Sequence, residues 1–168
     1  MVRWFGIVLV LVSSGYLGIR KAAELRRRPR LLKATADSFK LIRSDIAFRL
    51  LPLPDTLHHA AQAAPAPLQD VYAALSERMC TETQPFSEQW RDAFDALPGF
   101  SPEDQAALCA LGEQLGKYDS DAQVDAIDYC VAYLQSAETQ AREDTARRGK
   151  LYAGLGFTFG LIVAVTLY

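Results

Sequence analysis

The chain has 168 residues, of which 50% are apolar and 23% are charged, with a formal net charge of −2 and a mean hydropathy of +0.00. That length fits one domain, and the apolar fraction excludes a disordered polar chain. With only 10 glycines and 8 prolines, the chain is not collagen-like or low in complexity either.

The first predicted element is an uncharged segment, residues 4–19. As a helix it would be about 24 Å long, slightly shorter than the hydrocarbon core of a bilayer. Trp4 and Tyr16 lie near its ends, where aromatic side chains favour the headgroup region. These features predict a transmembrane helix. A signal peptide is the alternative, because Arg3 precedes the segment and the small residues Ser13 and Gly15 resemble a cleavage site.

Basic residues follow this segment, and they argue against cleavage. Six of them lie between positions 20 and 30, and another four precede the apolar segment 151–168. Positive charge holds its side of a membrane helix in the cytoplasm. Both segments therefore predict the same topology, with residues 20–150 as a cytoplasmic helical domain and both termini outside.

Residues 31–141 show helical periodicity throughout and no alternating strand pattern. Prolines divide this region at Pro52 and Pro54 and again at 65–67, while Ser101 is placed to cap a helix that ends at Gly116. The predicted buried faces are Leu32, Phe39, Ile42, Ile46 and Leu50; Leu57, Ala60, Ala61 and Ala64; Leu68, Val71, Tyr72, Leu75 and Met79; Phe86, Trp90, Ala93, Phe94 and Leu97; Ala107, Leu108, Leu111 and Leu115; and Val124, Ile127, Val131, Leu134 and Ala141. Six such segments predict an all-α bundle with one core.

The last predicted helix begins at Asp119 or Ser120 and leads into residues 151–168, the second predicted transmembrane helix. Gly156, Gly160 and Ala164 recur every fourth residue on that helix. Small residues at this spacing let two membrane helices approach closely, which favours helix pairing or a homo-oligomer. Chance is an equal alternative, because glycines four residues apart are common in apolar helices.

Charge is distributed unevenly between the middle of the chain and its flanks. Residues 31–141 contain 7 basic and 17 acidic residues, a net charge of −10. This excess argues against nucleic-acid binding and favours either a solvated surface or an acidic docking face for a basic partner. The basic flanks suit anionic membrane lipid.

The sequence predicts no enzyme, cofactor or metal site. His58 and His59 are adjacent, so on a helix they point about 100° apart and cannot share a metal ion. Residues 119–130 begin like a calcium loop, but Val124 replaces the required glycine and Cys130 the terminal glutamate. Cys80, Cys109 and Cys130 fall in helical patterns and are predicted to be reduced, buried thiols.

Four segments resemble the stage III sporulation protein AB family of spore-forming bacteria, over nearly the whole chain. They are residues 15–18, 51–57, 115–123 and 150–156. The third is the most specific, and it matches the family at Leu115, Gly116, Asp119 and Gln123. Leu51, Asp55 and Tyr118 depart from the residues usual in the family.

This resemblance implies a fold and a role. The family is related to the F-type platform protein of type II secretion, so the resemblance implies an antiparallel six-helix bundle. It implies a platform in the channel complex between mother cell and forespore, located in the mother-cell membrane that surrounds the forespore. The implied partners are a secretion-type ATPase, stage III sporulation protein AA, and other stage III sporulation channel proteins. A small self-associating channel or holin-like protein is the alternative function.

Within that family, the motif residues have structural or partner-contact roles. Pro52 and Pro54 are expected to fix the turn between the first helices. Asp119 and Gln123 are expected either to cap and pack the last helix, which we favour, or to present a contact surface.

Overall fold

The computed structural model describes residues 26–81, 83–117 and 119–166, with side chains described as far as Arg147. Regular structure in these residues is helical. The helices are α1 (Arg27–Ser44), α2 (Leu53–Ala63), α3 (Leu68–Thr81), α4 (Phe86–Asp95), α5 (Pro102–Gly112) and α6 (Ser120–Thr166). The six helices confirm the predicted all-α class.

Helix α1 contributes the predicted apolar face over most of its length. Leu32, Phe39 and Ile42 are fully buried, and Ile46 is nearly so. A short π-helical segment, Asp45–Arg49, follows α1 and shifts the register of the last turn. Leu50 then ends the helix in the left-handed conformation (φ 52°) and is 75% exposed. The prediction that Leu50 extends the buried face is therefore wrong, because the π-helical turn rotates it away from the core.

Helices α2 and α3 form an antiparallel pair. Each presents its predicted face to the core, with Leu57 and Ala60 from α2 and Tyr72 and Leu75 from α3 all at zero exposure. The Ser76 hydroxyl near the end of α3 donates to the Pro54 carbonyl at the start of α2, at 3.0 Å. This contact places the C-terminal part of α3 beside the N-terminus of α2.

An aromatic cluster joins α1 to α4. The Trp90 ring lies 5.9 Å from Phe39 and 4.6 Å from Phe94, centroid to centroid. Trp90 Nε1 donates to the Leu108 carbonyl of α5 at 2.9 Å, so this buried polar atom is satisfied. Aromatic rings bury large apolar areas, and the cluster therefore forms the centre of the core.

Helix α5 begins as predicted and ends earlier than predicted. The Ser101 hydroxyl accepts from the Asp104 backbone N–H, and the Asp104 carboxylate accepts from the Ser101 N–H at 2.8 Å, which forms a capping box. The helix ends at Gly112 and not at Gly116. A Cβ atom at Gly112 would collide with the Trp90 ring, so only glycine permits this close approach of α5 to α4.

Residues Pro29–Glu138 form one compact unit. Arg43 near the end of α1 contacts Asp128 in the early part of α6, at 2.6 Å. Two other contacts lie toward the opposite end of the unit. Leu31 lies beside Gly99, and the Tyr133 hydroxyl donates to the Asp104 carboxylate. The end of α1, the start of α2 and the start of α6 thus lie at one end of this unit, away from Pro29 and Glu138. We call it the distal end.

The rest of α6, from Thr139 to Thr166, belongs to a second unit together with residues that precede Pro29. The predicted transmembrane segment 4–19 lies outside the described residues, as do the side chains of 151–168. Among the residues that the structure describes with their side chains, no helix is long and apolar enough to cross a membrane. Both transmembrane segments stay predictions.

Candidate functional site

The loop between α5 and α6 contains the most specific motif of the sequence. Leu115 is buried at 4% exposure, and Gly116 adopts φ +80°, a conformation that side chains disfavour. This glycine reverses the chain after α5. Tyr118, the residue that departs from the family pattern, lies outside the described residues.

Two polar side chains fix this loop to α6. Gln123 is buried, its Oε1 accepts from the Gly116 N–H at 3.1 Å, and its Nε2 donates to the Lys117 carbonyl. The Asp119 carboxylate accepts from the backbone N–H groups of Asp121 and Ala122, at 3.0 and 3.3 Å. Asp119 thereby caps the N-terminus of α6. The contacts of both residues are made within the loop and the first turn of α6.

The second motif, residues 51–57, meets the first at the distal end. Pro52 precedes α2 with φ −58°, and Pro54 occupies its first turn, where proline lacks only an N–H that the helix leaves unpaired. Leu53 between them is buried, and its Cδ2 lies 3.3 Å from the position that a Cβ of Gly116 would take. Two segments more than fifty residues apart in sequence thus form one corner of the bundle.

A buried carboxylate holds the neighbouring end of α1. Asp45 has a side-chain exposure of 1%, and its Oδ2 lies 2.6 Å from His59 Nδ1 on α2. Its Oδ1 lies 3.4 Å from Arg49 Nη1. A buried carboxylate is tolerated only with such partners. The group therefore ties α1, the π-helical segment and α2 together.

The contact between Asp45 and His59 was not predicted from the sequence, in which His59 was considered only as a metal ligand. The available signal was the position of Asp45 between Ile42 and Ile46, two residues of the predicted apolar face. A carboxylate beside such a face needs a partner, but periodicity cannot indicate that the partner is on another helix.

Three large apolar side chains of the described region are exposed. Phe48 and Tyr129 are both 77% exposed, and Leu50 is 75% exposed. Phe48 and Leu50 lie at the distal end, whereas Tyr129 lies along the side of α6, next to the residue that pairs with Arg43. The carboxylates of Asp55, Asp121 and Asp125 are exposed at or near the distal end.

Charge and burial shift the pKa of three groups. The hydrogen bond and charge of Asp128 raise the pKa of Arg43. Burial raises the pKa of Tyr72, whose hydroxyl is near Ser38 without reaching hydrogen-bonding geometry. Burial also raises the pKa of the Cys130 thiol to about 12, so it stays protonated and unreactive near neutral pH.

The cysteines are free, but they are not all buried as predicted. Cys130 is buried, Cys109 is half-buried and Cys80 is exposed. Cys80 lies near the end of α3, outside its buried face. The prediction is therefore wrong for Cys80.

Gly156, Gly160 and Ala164 lie on the described backbone of α6, but their side-chain environment is outside the described residues. Within the described residues, no group of three or more His, Cys, Asp or Glu side chains is arranged to hold a metal ion. The geometry at the distal end consists of hydrogen-bonded loops, the buried Asp45 carboxylate held by His59 and Arg49, and exposed apolar side chains. Such an arrangement is suited to contact with another molecule.

Comparison with known proteins gives consistent matches. The family model described as stage III sporulation protein AB matches residues 3–168. The chain is 22% identical to stage III sporulation protein AB of Bacillus subtilis (strain 168), over 99% of both chains. A solved structure of a stage III sporulation protein AB is similar in fold, with a TM-score of 0.64 and 19% identity over 71% of this chain and 97% of that one.

Proposed function

The chain belongs to the stage III sporulation protein AB family, and from that membership we propose that it is a non-enzymatic platform in the channel complex between mother cell and forespore. The match over residues 3–168 is the observation that carries this proposal. It includes both apolar ends as well as the bundle. A platform of this kind works by holding other proteins in place, and it needs no catalytic group.

In this proposal the two apolar segments anchor the protein in the mother-cell membrane that surrounds the forespore. The bundle then lies in the cytoplasm and both termini lie outside. The basic residues that flank the segments support this topology, because they favour the cytoplasmic side and the anionic lipid there. The small residues of the second segment, Gly156, Gly160 and Ala164, would pack against another membrane helix.

The proposed cytoplasmic partner is the secretion-type ATPase, stage III sporulation protein AA, with other stage III sporulation channel proteins nearby. The net charge of −10 in residues 31–141 supports docking of a basic surface. Complementary charge speeds association and selects the partner. The exposed carboxylates Asp55, Asp121 and Asp125 at or near the distal end are the first candidates for this contact.

The test of the platform role is affinity capture of the full chain from membranes of sporulating cells, after crosslinking. We expect the ATPase and other channel proteins to be recovered, with crosslinks to residues 31–141. Recovery of the chain alone, or crosslinks to proteins outside the cytoplasm, would contradict the proposal. A self-associated chain without other channel proteins would favour the small-channel alternative.

Charge reversal tests the docking face. Asp121→Lys combined with Asp125→Lys should weaken ATPase binding by roughly tenfold or more at low salt, because both carboxylates are exposed. Asp92→Lys combined with Asp95→Lys is the matched control, since these carboxylates are exposed on α4. Far-UV circular dichroism should show equal helicity in both variants. Equal binding by both variants would exclude the distal end as the charged contact.

A further inference from the structure

The end of α1 displays two large apolar side chains to solvent. Phe48 is 77% exposed and Leu50 is 75% exposed, whereas Leu31, Leu32, Phe39 and Ile42 on the preceding helix α1 are buried. Leu50 also takes the left-handed conformation, which is unfavourable for leucine. We call residues 48–50 the apolar knob.

The knob is fixed and not a loose chain end. The Asp45 carbonyl accepts from the N–H groups of Leu50 and Leu51, and the Asp45 carboxylate is held by His59 and Arg49. A buried carboxylate with two more exposed partners thus supports a strained, exposed segment. A fixed contact surface loses little conformational entropy on binding, and residual strain and π-helical turns are frequent at functional sites.

The surroundings of the knob define what can cover it. Arg49, between the two apolar side chains, is paired with the Asp45 carboxylate at 3.4 Å. Asp55 follows the knob on α2, and Asp121 and Asp125 lie on the first turns of α6, whose start is at the same end of the unit. Carboxylates next to apolar side chains match a protein surface that has an apolar pocket bordered by basic residues. Anionic lipid would be repelled, and a second knob would bring like charges together.

From these observations we infer that the apolar knob, Phe48–Leu50, is the central contact for the docked ATPase and seats in an apolar pocket bordered by basic side chains. This inference rests on the proposed function, because it names the surface through which that function is carried out. The surrounding carboxylates align the partner, and the two apolar side chains supply the affinity. Central apolar anchors within a charged rim are typical of protein interfaces.

The test measures binding of the purified ATPase to the full-length chain in detergent or nanodiscs. Phe48→Ser combined with Leu50→Asn removes both anchors, and asparagine tolerates the left-handed conformation. We expect binding to weaken by roughly ten- to a hundred-fold. Gln69→Ala is the surface control, because Gln69 is exposed at the start of α3, away from the distal end, and binding of this variant should change by less than about twofold.

Phe48→Ala alone keeps Leu50 unchanged and should weaken ATPase binding less than the double variant does. A loss in this milder variant shows that weaker binding does not come from misfolding of the double variant. If the wild type binds the ATPase and the double variant binds it equally well, this inference is overturned and the platform role stays intact. If the wild type fails to bind the ATPase, both proposals fail. A double variant that instead changes only the oligomeric state would identify a second copy as the occupant and overturn the inference.

Discussion

The aromatic core and the distal end of the bundle differ in the interactions that hold them and in the exposure of their apolar side chains. In the core, Trp90, Phe39 and Phe94 pack ring against ring at zero to 1% exposure. At the distal end, Gln123, Asp119 and Asp45 hold loops by hydrogen bonds and an ion pair, while Phe48 and Leu50 are exposed. The core therefore stabilises the bundle, whereas the distal end presents side chains that are available to contact a partner.

Among these changes, the largest loss of stability is expected in the core, at Trp90. Trp90→Ala should lower the free energy of unfolding by about 3–5 kcal/mol, because it leaves a cavity beside the Phe39 and Phe94 rings and removes the donor to the Leu108 carbonyl. Urea unfolding of the full chain in detergent, followed by far-UV circular dichroism, measures this loss.

Arg91→Ala is the control for Trp90→Ala. Arg91 is the next residue on α4, and its ion pair with Glu113 is exposed and 3.7 Å long. Such pairs contribute little to stability. A loss for Arg91→Ala as large as that for Trp90→Ala would show that the stability of α4 does not reside in the aromatic cluster.

A smaller and more local effect is expected at the distal end. Gln123→Ala removes the hydrogen bonds to Gly116 and Lys117 and should lower the free energy of unfolding by about 1–3 kcal/mol. Amide hydrogen exchange should speed up at Gly116 and at the first turn of α6, with little change around Trp90. Gln69→Ala, on an exposed position of α3, should have no such effect. Faster exchange throughout the core would mean that the two regions are not independent.

The mildest test compares the reactivity of two thiols, one exposed and one buried in the core. Cys80 on α3 is exposed, whereas Cys130 on α6 is buried with its pKa raised to about 12. A thiol reagent at pH 7 should modify Cys80 rapidly and Cys130 only after unfolding, which mass spectrometry can follow.

The raised pKa of Cys130 also sets the sign of a pH effect. In the unfolded chain this thiol titrates near its ordinary value of 9.0. Above that pH the unfolded state loses a proton that the folded state retains, so the stability contributed by the protonated thiol falls as pH rises from about 9 to about 12. Cys130→Ala should remove this part of the alkaline destabilisation. Rapid modification of Cys130 at pH 7 would contradict its burial in the core.

Much of the fold was predictable from local pattern. The buried faces around Phe39, Leu57, Tyr72 and Trp90 follow the helical period, and the Ser101 cap follows from residue type and spacing. Leu50 and the end of α5 were predicted wrongly. The first depends on a π-helical turn after α1, and the second on turns over residues 113–116 that lead to Gly116 with its positive φ.

The sequence by itself determined the class of the fold, the number of helices and the segments that resemble a family, because these depend on periodicity and on short motifs. Only the tertiary structure decided that the 51–57 and 115–123 segments share a corner at Leu53 and Gly116. It also decided that Asp45 pairs with His59 and that Phe48 stays exposed. The physical reason is that local pattern indicates which residues avoid water, whereas partners distant in sequence are chosen only when the helices pack.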